Sequence, residues 1–352
     1  MRTNLKKNQK QKSNKKYLLL SAALAAAALL GGCGDSTDYS KYVTLGKYKG
    51  LEVTYDVEAV SEKELQEQIT ESIAEFAEYK EADGKIKEGQ LVELALQIEA
   101  DGEVVYDYLE DGYEMVIGEA DFGHELDEAL IGHEKGDVSD LTIAFDESNE
   151  DIYLAGKEAE CHVEIRKISD IVYPSLTDKF VKENFGVASV EEWKADVKQE
   201  LQDMHETDAT QAMREELVAQ AVANATIDGY SRELYKQCKA GIEADYQSYA
   251  DMFGCSVEEI YEMFEADEES RKQEYLDETN RVMVMSMIRE QEQITLDEEV
   301  YEQKLENYAL ENEYESVEEL LASYDEDSMK QYFLNEAVID FLEKEAMIVK
   351  KN

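Results

Sequence analysis

The stretch EGQLVELALQIEADGE, residues 88–103, determines how the middle of the chain folds. Apolar and polar residues alternate through its centre, and the apolar positions are Val92, Leu94, Leu96 and Ile98. A period of two places these side chains on one face of a β-strand. The Asp101-Gly102 pair that follows is typical of a hairpin turn. The stretch therefore predicts a strand that buries one face and then turns back on itself.

The same alternation recurs downstream, at residues 113–117, 141–145 and 159–165. Short strands separated by turn residues are typical of an antiparallel sheet. The acidic segment at residues 118–137 interrupts the alternation and predicts a short helix from Glu125 to Ile131 with a flanking loop. We predict a small antiparallel sheet domain with one short helix at residues 88–168.

Helical patterns dominate the rest of the chain. Ser61 begins a capping box, and the apolar spacing behind it predicts a helix to about Tyr79. The start signal Ser-Val-Glu-Glu occurs at Ser189, Ser256 and Ser316. We assign residues 169–352 to an extended all-α domain. Residues 49–87 are predicted to form a linker strand and a helix that pack on this all-α domain. The predicted fold class is α+β with separate sheet and helical domains.

The N-terminus differs in composition from the rest of the chain. Residues 1–16 contain seven basic residues and no acidic one, and an apolar run follows at residues 17–30. This order is typical of a secretory signal, and the run is shorter than the roughly 20 residues of a membrane span. The ending Leu-Gly-Gly-Cys resembles a bacterial lipobox, which implies cleavage before Cys33 and a diacylglycerol on its sulfur.

We therefore expect residues 1–32 to be a lipoprotein signal and residues 33–48 a lipidated tether. The protein would then lie on the outer face of the bacterial cytoplasmic membrane, anchored through Cys33. An ordinary secretory signal and an uncleaved anchor are the alternatives.

The charge of the chain restricts its partners. It has 83 acidic and 35 basic residues, a formal charge of −48. Without residues 1–32 only 28 basic residues remain, and the charge becomes −55. This excess argues against nucleic acid as a partner. No Walker-type glycine loop or other cofactor motif occurs in the sequence, so we expect no cofactor.

Three cysteines follow Cys33, and they lack the spacing of a metal or CxxC motif. Outside the cytoplasm Cys238 and Cys255 can form a disulfide, and two buried or semi-buried thiols are the alternative.

The order of these parts resembles trigger factor. VTLGKYKGLEVTYDVEAVSEKEL (residues 43–65) is similar to the segment that leaves its ribosome-binding domain. EGQLVELALQIEADGE, YEMVIG, GHEKGD and LAGKEAECHVEIRKI are similar to its FKBP-type prolyl isomerase domain. LTDKFVKENFGVASVEEWKADVKQEL (residues 176–201) is similar to the entry into its helical chaperone domain, which SurA resembles.

The resemblance implies an FKBP-like domain followed by a helical chaperone domain. Because the lipoprotein signal takes the place of the ribosome-binding domain, we expect no ribosome contact. The expected partners are unfolded or nascent exported polypeptides and, through Cys33, the membrane. The expected activity is ATP-independent holding of these polypeptides, with the client-binding surface on residues 175–352 and the helix at residues 61–79.

The resemblance also implies a proline pocket in the sheet domain. Its candidate residues are Leu96, Val105, Tyr113, Met115, Ile117, Phe122, Leu126 and Cys161. By position, Leu96, Val105 and Leu126 stand where the family has aromatic rings, and only Tyr113 keeps its ring. FKBP-type catalysis lowers the rotation barrier of about 18–20 kcal/mol by holding the twisted prolyl amide in an apolar site.

We therefore expect weak or lost isomerase activity. A fully active isomerase with a reshaped pocket and a non-catalytic scaffold or adhesion lipoprotein are the alternatives.

The acidic segment GEADFGHELDEALIGHEKGD, residues 118–137, also contains two histidines among seven carboxylates. A metal site needs ligands that converge, with support from surrounding groups. The spacing of His124 and His133 instead suits the two ends of one helix. We predict no metal site here.

The methionines of RVMVMSMIREQ suit either the binding of varied apolar clients or the packing of a helical core.

Overall fold

The computed structural model describes residues 38–149, 151 and 153–351. The predicted signal segment and Cys33 lie outside the described residues. The described chain divides into two compact units, one at residues 60–202 and the other formed by residues 38–59 and 203–351. Within the described ranges, no helix is long and apolar enough to cross a membrane.

The first unit contains the predicted sheet. Its strands are β3 (Glu78–Glu81), β4 (Gln90–Ala100), β5 (Glu103–Asp107), β6 (Tyr113–Val116), β7 (Val138–Ala144) and β8 (Glu158–Val172). The two long strands β4 and β8 pair along their whole length, and β3 and β7 share the other edge of β8. Strands β5 and β6 share the other edge of β4. All pairs are antiparallel, so the predicted antiparallel sheet is confirmed.

The sheet is longer than the pattern of residues 88–168 indicated. Strand β8 continues to Val172, and β3 pairs with its last residues, with Glu78 opposite Val172.

The helix that starts at Ser61 is confirmed with its capping box, and it covers Glu62–Ala74 (α1). The predicted extension of this helix to Tyr79 is wrong, because the backbone of residues 78–81 pairs with β8 instead.

Short helices complete the first unit. Helix α2 (His124–Leu130) lies between β6 and β7. Helix α3 (Asp178–Asn184) follows the sheet. Helix α4 (Val190–Asn224) comes next, and the Ser189 hydroxyl caps its N-terminus by accepting the Glu192 N–H. The Phe76 ring, two residues beyond α1, meets the rings of Phe180 and Phe185 edge-on at 5.3 and 5.7 Å. These ring contacts fix α1 against α3.

The second unit is mostly helical. It contains the rest of α4 and six further helices: α5 (Arg232–Phe253), α6 (Val257–Met263), α7 (Glu268–Glu292), α8 (Glu298–Glu311), α9 (Val317–Ser323) and α10 (Glu326–Glu345). The Ser256 and Ser316 side chains cap α6 and α9 as predicted. The Met283 and Met285 side chains are buried in the main core with Leu217 and Val338. The packing interpretation of these two methionines is thereby confirmed.

The prediction that everything after the sheet is helical is wrong at two places. Strand β9 (Thr226–Ile227) pairs antiparallel with β1 (Val43–Thr44). Strand β10 (Met347–Lys350) pairs parallel with β2 (Glu52–Tyr55), the predicted linker strand. Both short sheets therefore join the segment before residue 60 to the helical unit.

The three described cysteines, Cys161, Cys238 and Cys255, are free thiols. Burial raises the pKa of the Cys161 and Cys238 thiols to about 11. No Cys238–Cys255 disulfide is present, which agrees with the alternative of separate thiols.

Candidate functional site

The predicted pocket residues meet in one place, the core of the sheet domain. Six of them are at most 4% exposed, namely Leu96, Met115, Ile117, Phe122, Leu126 and Cys161. Val105 and Tyr113 are half-buried and pack against the same cluster. Most of these side chains therefore form the core of the sheet domain and are too buried to contact a ligand directly.

The ring-bearing residues at this place are more numerous than the sequence indicated. The Tyr113 ring lies 4.9 Å from the Phe122 ring and 4.9 Å from the Tyr108 ring, between centroids. The Tyr106 ring contacts Phe122 at 5.1 Å and Tyr153 at 6.5 Å. Tyr113 and the Phe122 floor are therefore joined by three rings that the sequence analysis did not assign to this place, those of Tyr106, Tyr108 and Tyr153.

A β-bulge explains why Tyr106 was missed. Ile98 pairs with Tyr106, but the next residue Glu99 pairs with Val104, so Val105 is the extra residue. A bulge of this kind shifts the alternation of the strand by one residue. Tyr106 thereby joins the face of the buried Ile98, and the Tyr108 N–H bonds to the Leu96 carbonyl two residues along.

Hydroxyl groups of this ring cluster bind carboxylates. The Tyr106 hydroxyl donates to Asp151 Oδ2 at 2.5 Å, and the Tyr113 hydroxyl donates to Asp121 Oδ2 at 3.3 Å. Burial, with the neighbouring carboxylates, raises the pKa of both phenols well above its usual range. The phenols therefore stay protonated at any physiological pH. The cluster therefore offers ring surfaces and hydroxyl dipoles to a ligand.

Asp127 fixes the loop that carries Phe122, and the sequence analysis did not identify it. It is 3% exposed, and its Oδ2 accepts the N–H groups of Gly118 at 2.8 Å and Ala120 at 2.9 Å. Ala120 has φ of 56°, a left-handed conformation that an alanine rarely adopts without such support. Burial raises the Asp127 pKa although both hydrogen bonds lower it. A buried carboxylate with two backbone donors thus holds the loop in place.

The two histidines of the acidic segment lie at the ends of α2, as predicted. His124 is its first residue, and the His133 N–H bonds to the Leu130 carbonyl just beyond its last turn. The His133 imidazole Nδ1 lies 3.5 Å from Asp137 Oδ2. Among the described residues, no three or more His, Cys, Asp or Glu side chains are grouped so that they could hold a metal ion.

The second unit contains a large groove that is separate from the ring cluster. Its volume is about 1450 Å³, and it lies among α4, α5, α7, α10 and the end of β2. Its aromatic and larger aliphatic lining residues are Tyr55, Val218, Val222, Ile242, Tyr246, Tyr249, Phe264, Tyr332 and Ile339. Its carboxylates are Asp203, Glu206, Glu215, Asp245, Glu274, Asp277, Glu278 and Glu336. We refer to this surface as the helical groove.

The two arginines of the helical groove are already paired. Arg281 binds Glu278 through two hydrogen bonds of 2.6 and 2.8 Å. Arg214 lies 3.1 Å from Glu336 and 2.7 Å from Asp340. The remaining carboxylates therefore leave the helical groove with a negative potential above an apolar wall.

Asp245 is the clearest case of an uncompensated carboxylate in the helical groove. Burial, followed by the charges of Glu274 and Glu278, raises its pKa to about 6. Burial also raises the pKa of Glu274, although this carboxylate accepts the Tyr246 hydroxyl at 3.0 Å. In the part of the chain that the structure describes, no cation or hydrogen-bond donor pairs with the Asp245 carboxylate. This group can therefore accept a cation or donor from a ligand.

Comparison with known proteins shows what the helical part is similar to. Residues 189–344 match the family model described as "Bacterial trigger factor protein (TF) C-terminus". The trigger factor of Macrococcus caseolyticus (strain JCSC5402) is 33% identical over 241 residues, which cover 65% of this chain and 56% of that protein. The trigger factor of Staphylococcus saprophyticus is 28% identical over 315 residues, which cover 88% of this chain and 72% of that protein.

A solved structure described as "Promiscuous Substrate Recognition in Folding and Assembly Activities of the Trigger Factor Chaperone" aligns with 86% of this chain and 72% of that one. Its TM-score is 0.43 and its sequence identity 18%.

The described helices and strands themselves make the chain an α+β protein with a small sheet domain and a helical domain, and the predicted fold class is confirmed. Residues 189–344 are therefore similar to the C-terminal part of trigger factors, and the chain as a whole is similar to trigger factors along most of its length.

Proposed function

We propose that this protein is a membrane-anchored, extracytoplasmic folding factor that holds unfolded exported polypeptides without ATP. The observation that carries the proposal is the helical groove in a region similar to the C-terminal part of trigger factors. A volume of about 1450 Å³ exceeds the roughly 300–1,000 Å³ of a small-molecule pocket. The groove has room for a segment of polypeptide.

The mixed lining of the helical groove suits this task. Its tyrosines and aliphatic side chains give an apolar wall, and such surfaces on soluble proteins usually mark interaction sites. Tyrosine adds a hydroxyl group to a rigid ring, so it contacts varied side chains at a low entropy cost. The carboxylates around the wall keep the empty groove hydrated.

The proposed location rests on the sequence of residues 1–33, which has the order of a lipoprotein signal ending at Cys33. A protein placed there meets exported polypeptides as they emerge from the membrane. Holding by burial of apolar surface needs no nucleotide, because the driving force comes from water.

Two alanines of α4 provide the test. Ala219 and Ala223 both line the helical groove and are exposed, so each accepts a larger side chain without disturbing the core. The double change Ala219→Glu with Ala223→Glu places two further charges on the apolar wall. We expect the full chain with this change to suppress aggregation of a chemically unfolded client several-fold less than the wild type.

The matched control is Ala212→Glu, an exposed position on α4 that does not line the groove. This change should leave suppression unaltered. Equal suppression by the double variant and the wild type would contradict a holding function of the helical groove.

Prolyl isomerisation is a second candidate function, and the ring cluster favours it. The rings of Tyr106, Tyr108, Tyr113 and Phe122 gather above the core that the resemblance assigns to the proline pocket. Against it, these rings contact one another, and two of the hydroxyl groups hold carboxylates in a site that should be dry. We therefore infer an isomerase activity below that of an FKBP-type domain with an open aromatic pocket.

Refolding of a proline-limited client by the full chain measures this activity. A catalytic efficiency equal to that of an FKBP-type domain, abolished by Tyr113→Ala, would make isomerisation the main function. Absence of both isomerisation and aggregation suppression would favour the scaffold alternative.

A further inference from the structure

The small parallel sheet of the second unit is incomplete on one side. Residues Met347–Lys350 of β10 pair in register with Glu52–Tyr55 of β2. Ile348 stands beside Val53 of β2, which is buried, but Ile348 itself is 38% exposed, so β10 is less covered than β2 on this face. Met347 and Val349 belong to the opposite face and are 53% and 49% exposed.

The outer edge of β10 has backbone groups that do not bond to β2. The Met347 N–H donates to the Leu51 carbonyl at 2.7 Å, and the Lys351 N–H donates to the Tyr55 carbonyl at 2.9 Å. Backbone groups alternate in direction along a strand. Those of Ile348 and Lys350 therefore point away from β2. Within residues 38–149, 151 and 153–351, no strand pairs with that edge.

Such an edge is unusual in a folded protein. Parallel strands are normally covered on both faces, and two strands alone are marginally stable. Exposed apolar edges act as templates for another strand, and proteins normally protect them with charge, proline or a bulge. In β10 the first protective residue is Lys350, because Met347, Ile348 and Val349 are all apolar.

A second copy of the chain is a poor occupant of this edge. Pairing of two four-residue strands buries far less than the roughly 1,200 Å² of a stable interface. The formal charge of −48 on each copy also opposes association.

An unfolded polypeptide is a better occupant, because backbone hydrogen bonds along a strand edge do not depend on the sequence that is bound. The edge is also continuous with the helical groove. Tyr55, the last residue of β2, lines the groove, and the Lys350 amine lies 5.4 Å above its ring.

We propose that the outer edge of β10 receives an extended, apolar segment of an unfolded polypeptide as a third strand. This inference rests on the proposed holding function. The helical groove would bind side chains of a client, while the edge would bind its backbone.

The substitution Ile348→Pro tests the proposal in the full chain. Proline removes the outward N–H and is tolerated at a strand edge, whereas the hydrogen bonds to β2 use the N–H groups of other residues. The matched control Ile348→Ala keeps the N–H and shortens the side chain. The probe is a labelled, uncharged ten-residue peptide of alternating valine and threonine, titrated by fluorescence anisotropy. A second version carries N-methyl groups on its four central amides, which removes donors from both edges.

We expect Ile348→Pro and the N-methylated probe each to weaken binding on the order of tenfold, the loss of one or two hydrogen bonds. Ile348→Ala should change it by less than about threefold. Equal binding of both probes to the wild-type chain would overturn the proposal, and this measurement needs no variant.

Aggregation suppression measured on the same wild-type preparation separates the two hypotheses. Suppression with no effect of N-methylation would leave the holding function intact and refute the strand site. Probe binding that depends on its amides, without any suppression, would support the strand site and refute the holding function.

Discussion

Neutralising Asp245 should stabilise the protein near neutral pH and leave its stability in mild acid unchanged. The folded-state pKa of about 6 lies above the usual value of 3.8, so the folded protein binds the Asp245 proton more tightly than the unfolded chain does. Ionisation in the folded state therefore costs free energy. The free energy of unfolding should fall as pH rises from about 4 to about 6, and the loss should then stay constant.

The size of this effect follows from the shift. Each pKa unit corresponds to about 1.36 kcal/mol, which gives an upper limit near 3 kcal/mol for Asp245. Because the helical groove is open to water, screening reduces this to about 1–2 kcal/mol. We expect Asp245→Asn to raise the free energy of unfolding by this amount at pH 7, through removal of the charge that Glu274 and Glu278 oppose.

Urea unfolding of the full chain between pH 4.5 and pH 7.5 measures the difference. The control is Asp251→Asn, which removes an exposed carboxylate from the same helix outside the groove and should change stability by a few tenths of a kcal/mol. If the free energy of unfolding of the wild type and of Asp245→Asn changes in parallel over the whole pH range, the assignment of Asp245 as an uncompensated charge is refuted.

The Asp245→Asn variant should also bind a lysine-containing client peptide about fivefold more weakly than the wild type, because it loses one partly screened charge interaction.

Two further predictions concern the anchor and the sheet domain. Cys33→Ala should leave the protein without lipid and either unprocessed or released from the membrane. Mass spectrometry of the wild-type protein checks this, and any N-terminal residue other than lipidated Cys33 would contradict it. Replacement of residues 78–172 by a short Gly/Ser linker should preserve most aggregation suppression, because Glu78 and Val172 are paired neighbours that a short linker can join. Loss of all suppression in a folded variant, with retention by the isolated sheet domain, would assign client binding to the sheet.

The sheet was predictable because its signals are local. The alternation from Val92 to Ile98 and the Asp101-Gly102 turn specify a strand, its buried face and a reversal within one short stretch. The bulge at Val105 was not predictable in this way, since an inserted residue changes the face of every residue after it without any change in composition. This single residue explains why Tyr106 and Tyr108, which follow it in the chain, were not assigned to the ring cluster.

Strand β10 was missed for a different reason. Its partner β2 lies almost the whole chain length away in sequence, and pairing at this distance leaves no local pattern. Four residues directly after a helix also match a continuation of that helix as well as they match a strand. The helical groove was hidden likewise, because its walls come from α4, α5, α7 and α10.

The acidic residues of the chain can serve to keep its surface hydrated, or they can take part in binding a ligand. The carboxylates of the helical groove distinguish these two explanations. Carboxylates that serve only to keep a surface hydrated remain fully solvated and cost no stability. Asp245, Glu274 and Glu336 instead line a concave surface, and burial raises the pKa of each. Groups held at such a cost are typical of binding sites, where a ligand repays the desolvation. A client segment that brings a lysine or arginine beside an apolar side chain would compensate Asp245 and cover the tyrosines at the same time.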